Sequence, residues 1–573
     1  MSSKKYKGTL ELNWINKDKS LIYEYDDDGN PTKPQWVERD DIRVSEPRIL
    51  KLKGEYGDPD NENMLIKGDN LLALRTLVEE FKNRKEKDKV KCIYIDPPFN
   101  TQSAFENYDD SLEHSEWLTM MRDRLILLKK LLRKDGVIFV HIDHHEIGHL
   151  RVLMDGIFSR KNFVQIISVK KATPAGFKTI NPGPVNVTEF ILMYAKDKRQ
   201  FPFKKMFVES DYVKDYNHYI LNPNDPPEEW RIGSIREIAF RELDVKDMKE
   251  AKKKYGSAAK ILIEELMADF ALNNSEVTFA TYGPHRPSGI LKELIDKSKK
   301  DSKKVFYHER KGYDPFYLLN GRLFAFYSKK LREIDGKKVP TQILTDFWGD
   351  LSWDSLSSEG SVTFRASKKP EELLKRIIGL GSELDDLILD SFAGSGTTGA
   401  VAHKLGRRWI LVELGKHAET HCLKRLKRVI DNNNPDTTGI SKLVGWKGGG
   451  GFRFYVLGDS LLKDHDINWG LEREEIARAL FMNFDYGFNG SLEDGVFVGR
   501  RGHRYGLCLV SKDVKILYAE RIGELIEEVN EKFDDLVDLE IYTNMGVGVR
   551  REDLPENVTV KKIPESILRK YKL

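Results

Sequence analysis

The chain has 573 residues, which is too long for one ordinary hydrophobic core and predicts two to four domains. Lys and Arg total 94 against 91 Asp and Glu, so net charge neither demands nor excludes a nucleic-acid partner, and any basic surface must come from local clustering. Three isolated cysteines exclude a disulfide scaffold, and the sequence has no membrane-length apolar run and no secretion signal. We therefore expect a cytoplasmic protein without a membrane segment.

Strands and helices alternate in the first ordered part of the chain. Met64–Ile66 reads as a short strand, and a helix is predicted to begin near Asn70 after a turn at Gly68-Asp69. The run VKCIYI, which ends before Asp96, has no polar alternation and predicts a strand buried on both faces of a parallel sheet. A helix and the apolar strand GVIFVHI follow, up to Asp143. This alternation is typical of a three-layer α/β domain.

The α/β pattern is lost from about residue 160 to 342 and then returns. A helix over 370–380 leads to the strand LILDSF, a glycine-rich turn, a helix over 397–405 and the strand RRWILVEL. The middle of the chain therefore reads as an insertion into one α/β domain. Gly445–Gly451, which contains five glycines, predicts a flexible link to a C-terminal α/β segment.

The glycine-rich turn DSFAGSGTTG joins an apolar strand to a helix, beginning at Asp390. Glycines at such a turn let a ligand approach the backbone, and the helix N-terminus offers unpaired N–H groups. Glu413 lies 17 residues beyond Gly396, at the end of the next strand, where an acidic residue can accept both hydroxyls of a ribose. The pattern predicts a nucleoside cofactor, and the alternative is a tight turn without a ligand.

The second candidate site is Asp96-Pro97-Pro98-Phe99, which directly follows VKCIYI. Two prolines restrict the backbone before them, so Asp96 and the Pro97 carbonyl form a rigid pair of acceptors. Phe99 supplies an aromatic face two positions further on. This set suits a planar ring that carries an amino group, and the alternative is a rigid turn at the end of a strand.

Together these motifs resemble those of amino-directed DNA methyltransferases of the β group. The longer strings resemble the modification (Mod) subunit of type III restriction–modification systems over residues 60–435; they are MLIKGDNLLAL, IYIDPPFNT, WLTMMRDRLILLKKLL, GVIFVHID, KKPEELLKRII and LDSFAGSGTTGAV. The resemblance implies a Rossmann-like, S-adenosylmethionine-dependent methyltransferase fold with a circularly permuted motif order. It also implies an inserted target-recognition domain and a C-terminal α/β segment.

The resemblance assigns roles to individual residues. Asp96, Pro97, Pro98 and Phe99 would form the catalytic motif. The implied cofactor-binding residues are Phe392, Gly394, Gly396 and Thr397 under the methionine and ribose, Glu413 at the ribose diol, Asp69 beside the adenine amino group, and Lys369 in the region of the cofactor carboxylate.

It also implies a division of the chain. The expected parts are an N-terminal extension (1–60), the catalytic part of the methyltransferase domain (61–150), the target-recognition domain (151–345), the cofactor part (346–440) and a C-terminal domain (452–573). Lysine runs interleaved with aromatic residues in the middle part agree with contacts to DNA phosphates.

The implied activity is methylation of adenine N6 in a short site of double-stranded DNA, with the target base flipped out of the helix. Two alternatives remain open, namely methylation of cytosine N4 and a DNA-recognition subunit without activity. The implied partners are DNA, a second copy of the chain and an ATP-dependent restriction subunit.

Four histidines between positions 141 and 149 could suggest a metal site. Asp143 and Glu146, however, have the spacing of a helix cap, with Asp143 as the N-cap, so we expect no bound metal.

Overall fold

The computed structural model describes residues 10–23, 34–59, 62–100, 104–105, 108–109, 114–172, 184–353, 356, 358–362, 364 and 368–571. The chain divides into two compact units, one formed by residues 1–203 with 346–573 and the other by Lys204–Thr345. No helix within these described ranges has the length and apolar character needed to cross a membrane.

The first unit is built on a ten-stranded sheet. Its strands in chain order are β1 Leu50–Gly57, β2 Met64–Lys67, β3 Val90–Ile95, β4 Leu132–Ile142, β5 Phe163–Lys170, β6 Thr188–Ala195, β7 Phe347–Trp348, β8 Leu387–Asp390, β9 Arg408–Glu413 and β10 Gly451–Leu457. Their order across the sheet is β7-β5-β6-β4-β3-β8-β9-β2-β10-β1.

Six adjacent strands, from β4 to β10 in that order, run parallel. Antiparallel β6 pairs with β4 on one side, and antiparallel β1 pairs with β10 on the other. Every residue of β3 and β8 is buried, which explains why these strands show no polar alternation. The predicted α/β class with a parallel sheet is confirmed.

The main helices of this unit follow the strands closely. They are α1 Asn70–Glu80, α2 His114–Leu131, α3 Ile147–Met154, α4 Glu371–Gly381, α5 Thr397–Lys404 and α6 Lys424–Ile430. The side chain of Asp69 caps α1 by accepting hydrogen bonds from the backbone N–H groups of Leu71 and Leu72. The helix that begins near Asn70 is therefore placed as the sequence predicts.

The second unit is mostly antiparallel. Its larger sheet contains, in spatial order, Ile232–Ser234, His218–Ile220, Thr278–Tyr282, Arg322–Phe326, Tyr313–Leu319 and Phe306–Arg310. A three-stranded sheet is formed by Phe207–Glu209, Lys337–Ile343 and Leu331–Ile334. The helices are Ile235–Glu242, Met248–Tyr255, Ala259–Asn273 and Gly289–Lys300.

The inserted unit begins later than expected. The sequence predicts a target-recognition domain over 151–345, whereas the compact second unit starts at Lys204 and the strands β5 and β6 extend the main sheet beyond β4. The reason is that β6 carries an unbroken apolar run, which pairs with β4 over six residue pairs. The N-terminal boundary also shifts, since β1 lies inside the expected 1–60 extension but belongs to the main sheet.

The glycine-rich stretch before β10 is not a free link. The amide of Asn63 donates to the Gly451 carbonyl, and Gly449 N–H donates to Ile430. Residues 451–457 then continue the parallel sheet beside β2. The C-terminal segment carries the helices Arg473–Asn483, Ala519–Lys532 and Glu565–Lys570 and a five-stranded sheet of Gly487–Ser491, Phe497–Arg501, Arg504–Leu509, Asp538–Thr543 and Val558–Lys562.

This arrangement makes Phe452 part of the core of the main sheet. Its ring is fully buried and lies 5.2 Å from Tyr56 and 5.6 Å from Trp409. We expect Phe452→Ala to destabilise the unit that carries the sheet by about 3–5 kcal/mol, measured by thermal and denaturant unfolding. Leu443→Ala, at a half-exposed position just before the glycines, serves as the control and should change stability little. Equal effects of the two substitutions would contradict the placement of β10.

Candidate active site

Both predicted motifs lie at the carboxyl edge of the parallel sheet. Asp96 follows β3 and Ser391 follows β8, and these two strands are hydrogen-bonded neighbours that run in the same direction. The ends of β9 and β2 lie at the same edge, where Gly68 N–H donates to the Glu413 carbonyl. The carboxyl edge of a parallel sheet is the usual place for a ligand in this class of fold. Segments almost 300 residues apart in sequence therefore form one site.

The loop Asp96–Asn100, which holds the predicted catalytic motif, is fixed by two hydrogen bonds. The indole N–H of Trp117, a buried residue of α2, donates to the Pro98 carbonyl at 2.7 Å. Asn100 closes the loop with a positive φ of 59° and donates from its amide to Glu146 at 2.8 Å. The loop is thus fixed from two sides, which leaves Asp96 and Phe99 in a defined position between the supports.

Asp96 has one oxygen in an ion pair and one oxygen without a hydrogen-bond partner in the described part of the chain. Oδ2 lies 3.1 Å from the ammonium of Lys369. Oδ1 is buried, and none of the described residues makes a hydrogen bond to it. Burial raises the pKa of Asp96, while Lys369 and His141 oppose that shift. A buried acceptor without a donor is costly, so Oδ1 marks a place where a ligand N–H group would be stabilised.

The aromatic ring of Phe99 lies in the same cluster. Lys369 Nζ is 4.8 Å from the centre of the ring, and the ring of His141 is 6.0 Å away. A planar ligand bound to Asp96 would therefore find an aromatic face nearby, as the sequence predicts.

The glycine loop adopts the expected strand–turn–helix form. Gly394 and Gly396 have φ of 54° and 75°, and Gly396 directly precedes α5. A Cβ atom added to Gly394 would meet its nearest neighbours, the Phe364 ring and the Phe392 carbonyl, at 3.8 and 4.0 Å, so the backbone there is not tightly packed. A Cβ added to Gly396 would approach Cys422 Cα to 3.2 Å. Gly394 thus offers room for a ligand, whereas Gly396 is needed for packing and conformation.

Buried polar side chains lie beside this glycine loop. Glu413 is buried at the end of β9, and its Oε2 accepts a hydrogen bond of 2.6 Å from the backbone of Gly394. The amide of Asn70 donates to the Ser391 carbonyl, which ties α1 to the loop. The Ser391 hydroxyl is buried and lacks a hydrogen-bond partner among the described residues. An open glycine backbone, a fixed carboxylate and an unpaired hydroxyl fit a polar cofactor with a sugar.

Two predicted cofactor residues already have protein partners. The Thr397 hydroxyl accepts a hydrogen bond of 2.7 Å from Arg425 of α6. Asp69 caps α1 and also lies 3.4 Å from Arg124. Phe392 is half-buried and packs against the main core. The roles of all three at a cofactor remain predictions.

Lys369 is buried beside acidic side chains, and its role near the cofactor carboxylate remains a prediction. Its ammonium lies between two carboxylates, Asp96 at 3.1 Å and Glu189 at 3.4 Å. Its side chain is only 9% exposed. The physical reason is electrostatic, since a buried lysine needs acidic partners to keep its charge.

A buried charge network under the glycine loop was not predicted. Glu371 accepts from both Lys404 and Arg425, and Lys404 also pairs with Asp436; all four side chains are fully buried. Because Arg425 also binds Thr397, the network connects α4 and α6 to the start of α5. The only signal in the sequence was the Glu-Glu pair after Pro370, which also fits an ordinary first helical turn.

The histidine region differs from the expected cap. Helix α3 begins at Ile147 with Glu146 as its N-cap, and Asp143 accepts from the backbone N–H of His145 instead. The side chain of Glu146 makes no capping hydrogen bond to the helix. Its carboxylate instead contacts His114 at 2.9 Å and His149 at 3.2 Å. Two clusters with ligand atoms within 4.8 Å occur in the described ranges, namely His114–Glu146–His149 and Asp143–His144–His145. That this chain binds no metal stays a prediction.

Comparison with known proteins identifies the class. The family model of N6_N4_Mtase, described as DNA methylase, matches residues 90–424. This match spans more than half of the chain, and the protein belongs to this family of DNA methylases. The predicted methylase resemblance is thereby confirmed at the level of the family.

Individual proteins similar to this chain include Mod subunits and a type II methyltransferase. The chain is 35% identical to the probable type III restriction–modification enzyme HindVI Mod subunit of Haemophilus influenzae, over 69% of this chain and 54% of that protein. It is 28% identical to the type II methyltransferase M.EcaI of Enterobacter cloacae, over 63% of this chain and 69% of that protein. It is 28% identical to the StyLTI Mod subunit of Salmonella typhimurium, over 59% of this chain and 49% of that protein. The chain thus spans about half the length of the two Mod subunits.

Asp390 provides a test of the electrostatics at this edge. Burial raises its pKa to about 7 from an ordinary 3.8, although Thr398 and Phe392 hydrogen-bond to the carboxylate. A carboxyl with a raised pKa binds more protons in the folded state, so its ionisation lowers stability as pH rises between these two values. We expect the stability of Asp390→Asn relative to the unmodified protein to increase by about 1 kcal/mol or more over this pH window.

Thermal unfolding measured from pH 4 to pH 8 checks this expectation. Asp385→Asn, at an exposed position, is the matched control and should follow the unmodified protein at every pH. A stability difference for Asp390→Asn that does not depend on pH would contradict a raised pKa.

Proposed function

We propose that the protein transfers a methyl group from S-adenosylmethionine to N6 of adenine in a short site of double-stranded DNA. We further propose that it serves as the modification and specificity subunit of a type III restriction–modification system. Support comes from membership in the DNA methylase family and from similarity to the HindVI and StyLTI Mod subunits. The observation that carries the proposal is the buried Oδ1 of Asp96, which none of the described residues hydrogen-bonds, beside the glycine loop that follows the neighbouring strand.

The residues around the glycine loop would hold the cofactor. Gly394 leaves room beside the backbone, and Glu413 lies at the end of β9 for the ribose hydroxyls. When bound, S-adenosylmethionine supplies a methyl group on a sulfonium sulfur, and this sulfur takes the electron pair of the broken S–C bond while the amine nitrogen forms the new N–C bond. The protein's task is therefore alignment and electrostatic support more than activation of a nucleophile by a strong base.

Asp96 would orient the amine of the target base. Its Oδ1 would accept one N–H of the amine, and the Pro97 carbonyl would accept the other, which points the nitrogen lone pair away from both acceptors. Phe99 would stack on the base and offset part of the few kcal/mol needed to flip it out of the duplex. After transfer the methylated amine carries an extra proton, which can leave to Asp96 or to water.

The choice of adenine rests on the residue before the two prolines. In the family that the sequence resembles, Asp at this position favours adenine, and Ser is more common in enzymes that methylate cytosine N4. We keep cytosine N4 as the second candidate because the family model covers both amines. Analysis of methylated bases in treated DNA separates the two products.

The partners belong to the same proposal. The unit Lys204–Thr345, with its lysine runs, would recognise the DNA site. A second copy of the chain and an ATP-dependent restriction subunit would complete the system, and we expect it to act in the cytoplasm, where the DNA lies. Mapping of modified positions in DNA from cells with the intact gene would give the base and the recognised sequence together.

Asp96→Ala tests the division of work between the two loops. We expect transfer of labelled methyl groups to long unmodified DNA to fall by about 10²-fold or more, because the amine loses its acceptor. Binding of S-adenosylhomocysteine, measured by calorimetry, should stay within about threefold, which is below 1 kcal/mol. Asp96→Asn is the matched variant of equal size, and it should also be strongly impaired, because its amide oxygen would turn to the Lys369 ammonium and its NH2 group, which cannot accept, would face the amine. Loss of cofactor binding together with transfer would overturn this division.

A further inference from the structure

Glu189 is a buried carboxylate for which the proposed reaction has so far given no role. It lies on β6, the antiparallel neighbour of β4, and its side chain is only 6% exposed. A carboxylate at such a position requires charged or hydrogen-bonding partners, because its desolvation is otherwise unfavourable by several kcal/mol. Its surroundings therefore indicate what it does.

Three basic groups surround the Glu189 carboxylate. Oε1 accepts from Lys171 at 2.8 Å. Oε2 lies 3.4 Å from Lys369 Nζ and 2.9 Å from His141 Nε2. Burial alone would raise the pKa of Glu189, but Lys369, His141 and Lys171 together hold it well below its ordinary value. Glu189 is thus a fixed negative charge.

His141 lies between Glu189 and Tyr94. Its Nε2 is 2.9 Å from Glu189 Oε2, and its Nδ1 forms a hydrogen bond of 2.9 Å with the Tyr94 hydroxyl. His141 and Tyr94 are both buried and lie on β4 and β3, the strands that precede the site. The carboxylate, the imidazole and the phenol therefore form one buried polar cluster, in which the imidazole ring lies 6.0 Å from the ring of Phe99.

Lys369 is shared between Glu189 and Asp96. The two distances, 3.4 and 3.1 Å, are those of a cation divided between two anions, not of a close pair with either one. Its ammonium has three N–H groups, so it can contact both carboxylates at once. Oδ1 of Asp96 has no donor among the residues that the structure describes.

We propose that Glu189 is a positioning residue for methyl transfer, which draws Lys369 partly away from Asp96 so that one oxygen of Asp96 stays available to the amine of the target base. This inference rests on the proposed function. Without Glu189, Asp96 would be the only acidic partner of Lys369 among the described residues, and Lys369 would contact it more closely. The amine would then have to compete with a buried ammonium for the same carboxylate.

The charges that face Asp96 predict the direction of a pH effect. Lys369 and His141 lower the pKa of Asp96, while Glu189 and burial raise it. Asp390 and Tyr94 are the other titratable groups close to Asp96, and burial keeps both toward their protonated forms. Removal of the Glu189 charge should therefore lower the pKa of Asp96 and move the acid limb of the rate profile to lower pH.

Glu189→Gln is the direct experiment, since glutamine keeps the shape and removes the charge. We expect kcat for labelled-methyl transfer to long unmodified DNA to fall about 10- to 100-fold, a loss comparable to other single electrostatic contacts in active sites. KM for DNA and the affinity for S-adenosylhomocysteine should stay within about threefold. The acid limb of kcat should shift to lower pH, and a crystal structure of the variant should show Lys369 in contact with both oxygens of Asp96.

Glu55→Gln is the matched control. Glu55 lies on β1 of the same sheet and forms a half-exposed ion pair with Arg453 at 2.7 Å, remote from Asp96 in the strand order. This control should keep the kcat and the pH profile of the unmodified protein. Unchanged kcat in Glu189→Gln would overturn the inference, and so would reduced stability and kcat without any shift of the acid limb.

If the glutamine variant fails to fold, Glu189→Asp is measured in its place. It keeps the charge but withdraws it from Lys369 by about one C–C bond, so kcat should fall with an acid limb close to that of the unmodified protein. Full activity of Glu189→Asp together with an unmoved Lys369 in its crystal structure would contradict the inference. Failure of the proposed function is a separate result, because the unmodified protein would then transfer no methyl group to DNA.

Discussion

The site depends on the pairing of two parallel strands that are distant in sequence. Leu389 of β8 lies opposite Ile93 of β3, so the loops after these strands must emerge at the same edge of the sheet. Asp96 and the glycine turn are adjacent for this reason, although the second unit is inserted between them. If the strands were not neighbours, neither loop could form a site with the other.

Buried charge makes the geometry of the two loops specific. Beside Asp96, the ammonium of Lys369 is shared between two carboxylates. Under the glycine loop, Glu371 binds both Lys404 and Arg425. Such networks add little net stability relative to an apolar core, but the loss of one member is strongly destabilising. In this protein they restrict the geometry, because each buried charged group requires an oppositely charged neighbour beside it.

The sequence predicted the elements and motifs well because their signals are local. The strand VKCIYI, the Pro-Pro turn and the glycine turn are set by neighbouring residues, and all three occur where expected. The partner of Lys369 could not be predicted in this way. Its contact with Glu189 depends on β6 joining the main sheet beside β4, and the irregular sequence around residue 160 gave no sign of that pairing.

The same limitation explains why one carboxylate was recognised and the other was missed. Asp96 stands in a motif, whereas Glu189 stands in a strand whose pattern indicates only burial. An acidic residue inside an otherwise apolar strand has to be paired. Without a partner, its carboxyl group would stay protonated, or its charge would destabilise the strand. The strand sequence Thr-Glu-Phe-Ile-Leu-Met-Tyr-Ala therefore indicates that Glu189 is paired, but it does not show which cation is its partner. One of its basic neighbours is the lysine that also faces Asp96, which places Glu189 one contact away from the proposed chemistry.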